Sequence, residues 1–220
     1  MNILITGAGR GIGYQMTKQL SEKGHTIYAV VRTVADELKA LANVNIIEGL
    51  DLENLTTIDQ IVESSDLPKM DWVIMNAGVF LETPLKDLEI ELVQKQIQVN
   101  SIAPLYFVQK LLPKMKEGTK IGLVSSQMGS IGDNSSGGYY GYRMSKAALN
   151  MAGNALAHDL KNSGIIVSIM HPGYVKTRMT DFMGNMDAEL SAARLISLME
   201  KASITTSGTF WNYQGNILPW

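Results

Sequence analysis

The sequence predicts a doubly wound α/β fold, a parallel sheet of about seven strands with helices on both faces. Three observations carry that prediction. Short apolar runs alternate with helix-patterned stretches along all 220 residues. Several of these runs are apolar throughout, as strands covered on both faces must be. The first run also feeds directly into a glycine-rich turn, Thr6-Gly7-Ala8-Gly9-Arg10-Gly11-Ile12-Gly13, and a helix pattern follows it.

The elements follow in order. Residues 2–6 (Asn-Ile-Leu-Ile-Thr) form the first strand, and the helix pattern of 12–23 comes after the glycine turn. The apolar run 26–31 is the second strand, followed by a helix over 34–41. Residues 44–48 and 55–64 make the third strand and helix, and 72–76 the fourth strand. A long helical stretch spans 88–116, with Pro104 able to bend it near Asn100. Strand 120–125 precedes helix 142–162, and strand 165–171 precedes helix 188–201. A weaker strand near 209–211 completes the set. No repeat, low-complexity tract or linker interrupts the chain, so a single domain over 1–220 is expected. The loosest stretch is 135–138.

Composition excludes several function classes. The formal net charge of −2 predicts no strong attraction to nucleic acid or anionic membrane. The chain has no cysteine, and His25, His158 and His171 lack ligand spacing, so no metal site is expected. No apolar stretch approaches the ~20 residues that span a bilayer. The first residues lack a basic n-region, and a cytoplasmic protein is expected.

The glycine turn is the first chemical signal. Glycines permit a tight turn and let backbone approach a diphosphate at a helix N-terminus, where free N–H groups and the dipole favour anions. The spacing Gly-x-x-x-Gly-x-Gly fits neither the usual dinucleotide fingerprint nor a P-loop. Its place after the first strand still favours dinucleotide binding on a Rossmann-type sheet. Asp51, followed by Leu52, could accept from an adenine amino group or act as an N-cap. Asn76-Ala77-Gly78 ends the fourth strand on the carboxyl edge, where ligands of open sheets bind, though Asn76 could equally be a turn residue. Where an acidic residue would hold the ribose 2′-hydroxyl, the chain has Val31-Arg32-Thr33. Arg32, joined by Arg10, can meet a 2′-phosphate instead, which favours NADP(H) over NAD(H).

The second signal is Tyr142-Arg143-Met144-Ser145-Lys146. On a helix, Tyr142 and Lys146 share a face one turn apart. A phenol titrates near 10, and a neighbouring ammonium is expected to lower that value toward the range of a general acid or base. A solvated Tyr–Lys pair is the bland alternative.

Taken together, these residues resemble the short-chain dehydrogenase/reductase family. The matching positions run in order: Thr6-Gly7-x-x-x-Gly11-x-Gly13, Asp51, Asn76-Ala77-Gly78, Asn100, Ser125-Ser126, Tyr142-x-x-x-Lys146, then Pro172-Gly173 with Thr177. Residues 137–150 and 210–220 look like the carbonyl-reductase subgroup that includes C-factor and sniffer-type proteins. The resemblance implies a catalytic set of Asn100, Ser126, Tyr142 and Lys146. Tyr142 would exchange a proton with the substrate oxygen, Ser126 would donate to that oxygen, and Asn100 would position a water linking Lys146 to solvent. Lys146 would also hold the nicotinamide ribose. The cofactor contacts would come from Gly7, Gly9, Arg10, Gly11, Ile12, Gly13, Arg32, Asp51, Leu52, Asn76, Ala77, Gly78, Tyr142 and Lys146, together with Pro172, Gly173, Val175 and Thr177. The implied substrate is a small carbonyl or alcohol, and the implied assembly a homodimer or homotetramer.

Two departures stand out. Met75 replaces a common asparagine, and the approach from Ser126 to Tyr142 is longer than usual. Ser126 fits the strand end and Ser130 the sequence distance; Ser126 is preferred because a strand terminus is the more rigid platform. The short region after Thr177 predicts a small lid and an open pocket, with Met128, Tyr140, Tyr174 and Met179 as candidate walls. No Gly-x-Ser-x-Gly elbow supports a hydrolase. The remaining rival is a non-catalytic dinucleotide-binding regulator with the same fold.

Overall fold

A computed structural model describes all residues, Met1–Trp220. Seven parallel strands form one sheet in the order β3-β2-β1-β4-β5-β6-β7. They are β1 (Asn2–Thr6), β2 (Thr26–Val31), β3 (Val44–Glu48), β4 (Trp72–Met75), β5 (Lys120–Val124), β6 (Ile166–His171) and β7 (Phe210–Asn212). The order reverses between β1 and β4, and such a switch point opens a crevice at the carboxyl ends of the strands.

Alternate residues of each strand serve opposite faces. Leu4 joins a core with Phe107, Leu123 and Leu149, under helices α3 (Thr56–Ser64), α5 (Ala103–Leu111) and α6 (Tyr140–Asp159). Ile3 and Ile5 join the other core with Met16, Leu20, Leu195 and Met199, under α1 (Gly11–Glu22) and α7 (Ala188–Lys201). Burial on both faces explains why these strands read as continuous apolar runs.

The predicted strands and helices recur with ends shifted by at most three residues, apart from two helices. The second, α2, shrinks to Asp36–Lys39, because Leu38 is its only buried residue. The stretch 88–116 does not form one helix. It divides into α4 (Ile90–Ile97), a π-helical turn (Gln98–Ile102) and α5, and closes in a 3₁₀ turn (Leu112–Lys114). Pro104 has no N–H to offer the carbonyl of Asn100 four residues earlier. The ladder widens there, and the Ala103 N–H reaches Gln98 instead. The wide turn thus lies at Asn100. No helix is long and apolar enough to cross a membrane.

Candidate active site

The glycine turn is built by close backbone approach. A Cβ on Gly13 would collide with the Gly7 carbonyl and lie 2.5 Å from Asn76 Nδ2, and one on Gly7 would sit 2.9 Å from Ala77 Cα. Thr6 and Asn76 lock this junction. Thr6 Oγ1 accepts from the N–H groups of Asn76 and Ala77, while Asn76 Nδ2 donates to the carbonyls of Thr6 and Gly7. The Asn76 amide therefore braces the turn rather than pointing free at the sheet edge.

Helix α1 starts at Gly11 with Arg10 as its N-cap, and neither a side-chain cap nor an acidic first-turn residue satisfies its free N–H groups. An N-terminus of this kind favours an anion. Gly9 packs beside the end of β2, and Arg10 and Arg32 are exposed there without an ion-pair partner. Ile12 packs against the core of the α1 face. Across the crevice, Thr177 lies against the same turn, since a Cβ on Gly11 would meet its methyl at 3.4 Å. These residues form a cradle of backbone donors and cations suited to a phosphorylated dinucleotide.

After β3, one Asp51 carboxylate oxygen accepts from the Glu53 N–H at 3.0 Å, and Leu52 is packed into the core. In the loop after β6, Gly173 adopts φ +90°, where a Cβ would collide with Met186. The Pro172 carbonyl accepts from Ser191. The Val175 side chain is buried at the bridge to Met186, so it is taken up by packing. From Tyr174 to Met186 the chain closes on itself, with Asn185 N–H donating to the Tyr174 carbonyl at 2.9 Å. Phe182 and Met183 are exposed on this small lid.

Helix α6 brings Tyr142 and Lys146 to the end of β5. Both are buried. Lys146 Nζ donates to the Val124 carbonyl at 2.9 Å and lies 5.7 Å from the Tyr142 ring centre. A Cβ on Gly78 would be 3.8 Å from that ammonium and 3.0 Å from Asn100 Oδ1. The loop after β4 therefore lies close to Lys146, and glycine at position 78 leaves space between them. Ser126 lies near enough for its hydroxyl to pull the Tyr142 pKa down.

The electrostatics reverse one expectation. Burial, not the ammonium, dominates the phenol and pushes Tyr142 up to about 12, with Ser126 opposing. Burial likewise pushes Lys146 down to about 8. The phenol is therefore firmly protonated at neutral pH. A lysine lowered by burial is a weak stabiliser of a phenolate.

The Asn100 side chain also has a structural job. Its Oδ1 accepts from Val79 N–H at 2.8 Å, and its Nδ2 donates to the Val79 carbonyl and to Ser145 Oγ. With both ends of the side chain engaged, it tethers the loop after β4 to α6, while Pro104 leaves the Asn100 backbone carbonyl without a helical donor. The two serines also separate. Ser126 N-caps a short turn (Gln127–Gly129) by accepting from Met128 N–H. Ser130 donates to the Pro219 carbonyl at 2.7 Å and accepts from Asp133 N–H. It is a loop fastener.

Sequence reasoning missed several supports. Gly129 is one: a Cβ there would press on the Lys146 backbone, so only glycine lets the serine turn seat on α6. Thr83 caps α6 from far away, its hydroxyl accepting from Gly141 N–H. Phe80 sets its ring 5.0 Å from Tyr142, edge to face. None of these has a local sequence signal, because each acts across the fold.

A model of the short chain dehydrogenase family matches residues 1–188. The chain belongs to the short-chain dehydrogenase family. Its members are oxidoreductases, and the order of motifs agrees with the observed geometry. One curated relative of this short-chain dehydrogenase is 1-hydroxy-2-glutathionyl-2-methyl-3-butene dehydrogenase from Rhodococcus sp. (strain AD45), 35% identical over 224 residues that cover 99% of each chain. Carbonyl reductase Sniffer of D. melanogaster superposes with a TM-score of 0.91 at 30% identity, covering 100% of this chain and 99% of the other. The NADPH-bound carbonyl reductase from chicken fatty liver gives 0.91 at 27% identity, covering 100% and 98%.

Proposed function

We propose that this short-chain dehydrogenase is an NADP(H)-dependent carbonyl reductase, with Tyr142 as general acid. One observation carries the reading: a buried phenol lies beside Ser126, and Lys146 joins it at the open carboxyl edge of the sheet. The cradle around Gly7, Gly11 and Gly13 suits the diphosphate, Arg10 and Arg32 suit a 2′-phosphate, and the chicken relative carries NADPH. Asp51 would take the adenine end, and Gly173 and Thr177 the nicotinamide end. When bound, the nicotinamide supplies the hydride.

The chain's own groups do the rest. Ser126 donates to the carbonyl oxygen, where negative charge develops. Tyr142 delivers the proton to that oxygen, in the protonation state its burial enforces. Lys146, while charged, favours the phenolate left behind. Burial of the phenol thus suits reduction better than alcohol oxidation. Small-molecule carbonyls that tolerate an apolar mouth fit the exposed Tyr140, Tyr174, Met179 and Phe182. Exposed Ile102 and Leu105, with Met144 and Met151 on α6, support self-association as a homodimer or homotetramer. A cytoplasmic setting accords with a supply of reduced dinucleotide.

Tyr142→Phe tests the mechanism. Turnover of carbonyls, followed as NADPH oxidation, should fall by about 10²–10⁴-fold, with NADPH affinity within about twofold of wild type. Full reductase activity in this variant would refute the assignment.

A further inference from the structure

Arg143 follows Tyr142 directly, and its guanidinium holds both ends of the loop that leads from Ser126 back to α6. Its Nη1 donates to the Met128 carbonyl at 3.4 Å, in the turn that Ser126 caps. Its Nε donates to the carbonyls of Gly137 at 3.2 Å and Gly138 at 3.1 Å, and its Nη2 to Ser136 Oγ at 2.9 Å. No carboxylate pairs with this cation. Its hydrogen bonds all go to loop oxygens, in a planar fork that a lysine cannot reproduce.

The loop needs such a clamp. Gly137, Gly138 and Tyr139 stand in succession at φ 63°, 69° and 51°, and for Tyr139 that left-handed conformation is costly. Gly137 and Gly138 contribute no side chain that could hold the turn. Around residues 134–138 most side chains are exposed, whereas Ser126 must stay beside Tyr142.

We propose that Arg143 is a positioning residue, which sets Ser126 against Tyr142 by tying the serine turn and the left-handed turn to the first turn of α6. The proposal rests on reading Tyr142 and Ser126 as the carbonyl site. Because Arg143 acts through the loop, its loss affects the reaction of every carbonyl alike and leaves the dinucleotide cradle, on the far strands, untouched.

The test pairs Arg143→Met and Arg143→Lys with wild type in hydrogen exchange and in NADPH-dependent reduction of one neutral and one carboxylate-bearing aldehyde. In Arg143→Met, amides of 127–138 should exchange faster while those of β1 and α1 do not change. Its kcat should fall by about tenfold to a hundredfold for both aldehydes, the scale of a misplaced catalytic group, with NADPH affinity unchanged. Arg143→Lys should recover only part of this loss, and added guanidinium ion should restore part of the Met variant's rate. Unchanged exchange over 127–138, or a kcat within about twofold of wild type, would overturn the proposal. So would a loss confined to the carboxylate-bearing aldehyde, which would make Arg143 a direct substrate contact. If wild type reduces neither aldehyde, the carbonyl-reductase reading fails, and the exchange result still decides whether Arg143 orders the loop.

Discussion

On the β1–β4 side the site is made of backbone packed too closely for added side chains, whereas on the β5–β7 side it is made of loops fastened by individual hydrogen bonds, some to distant parts of the chain. Gly7, Gly13, Asn76 and Thr6 meet at a junction with no space to adjust. The Ser126–Tyr142 approach is instead held by Arg143, by the tail at Pro219 and Trp220, and by Thr83 at the start of α6. The difference teaches where function can vary. A binding cradle shared by all substrates tolerates little change, while a loop tied by replaceable side chains lets the substrate end diverge.

The sharpest way to break the first region is Gly13→Ala. The added methyl would run into the Gly7 carbonyl, which is backbone and cannot rotate away. NADPH affinity should fall about 100-fold, or ~2.7 kcal/mol. Isothermal titration measures this, with thermal unfolding run alongside. An affinity near wild type would mean that the junction is softer than its contacts imply.

Lys146 tests how deeply the Tyr142–Lys146 pair is buried. Its folded pKa of about 8 lies below the ordinary 10.5, so the unfolded chain binds more protons between those values. Stability owed to this group is therefore full above 10.5 and is lost as pH falls to about 8. Against Lys146→Met, wild type should gain about 3 kcal/mol in chemical denaturation across that window. Tyr142 does not interfere below pH 10, since its shift is upward from 10 to about 12. Reduction should also weaken above about pH 8 as Lys146 loses its charge. A flat stability difference would show the lysine to be better solvated than its burial suggests.

The sheet and the glycine turn were legible in the sequence because they are local: apolar runs, glycines at fixed offsets, and a helix start. Tyr142 and Lys146 were legible for the same reason, their spacing being one turn of helix. The π turn was half legible, since Pro104 marked a bend at Asn100 but not a widened ladder. What stayed hidden depends on distance along the chain. The engagement of the Asn100 amide by Val79 and Ser145, the packing of Gly129 on Lys146 and the cap from Thr83 appear only once the fold is closed. The dominance of burial over charge at Tyr142 was equally invisible, because a spacing does not report solvent exposure.

The smallest expected effect separates the two serines. Ser130 is buried, and its hydroxyl joins the Pro219 carbonyl to the Asp133 N–H. Ser130→Ala leaves both groups unpaired, at a cost of about 1–3 kcal/mol. It should thus lower the unfolding midpoint by several degrees, at about 2–4 °C per kcal/mol for a chain of this size, while kcat stays within about threefold. Ser126→Ala should do the reverse, with a loss of about 10²-fold in kcat and little change in midpoint. Ser126 Oγ accepts from one backbone group, Met128 N–H at 3.2 Å, and its other neighbour is Tyr142, so the hydroxyl stands where a substrate oxygen would meet both residues. If Ser130→Ala proved the slower enzyme, the fastening loop would reach the reacting oxygen itself, and the division between a chemical serine and a structural one would fail.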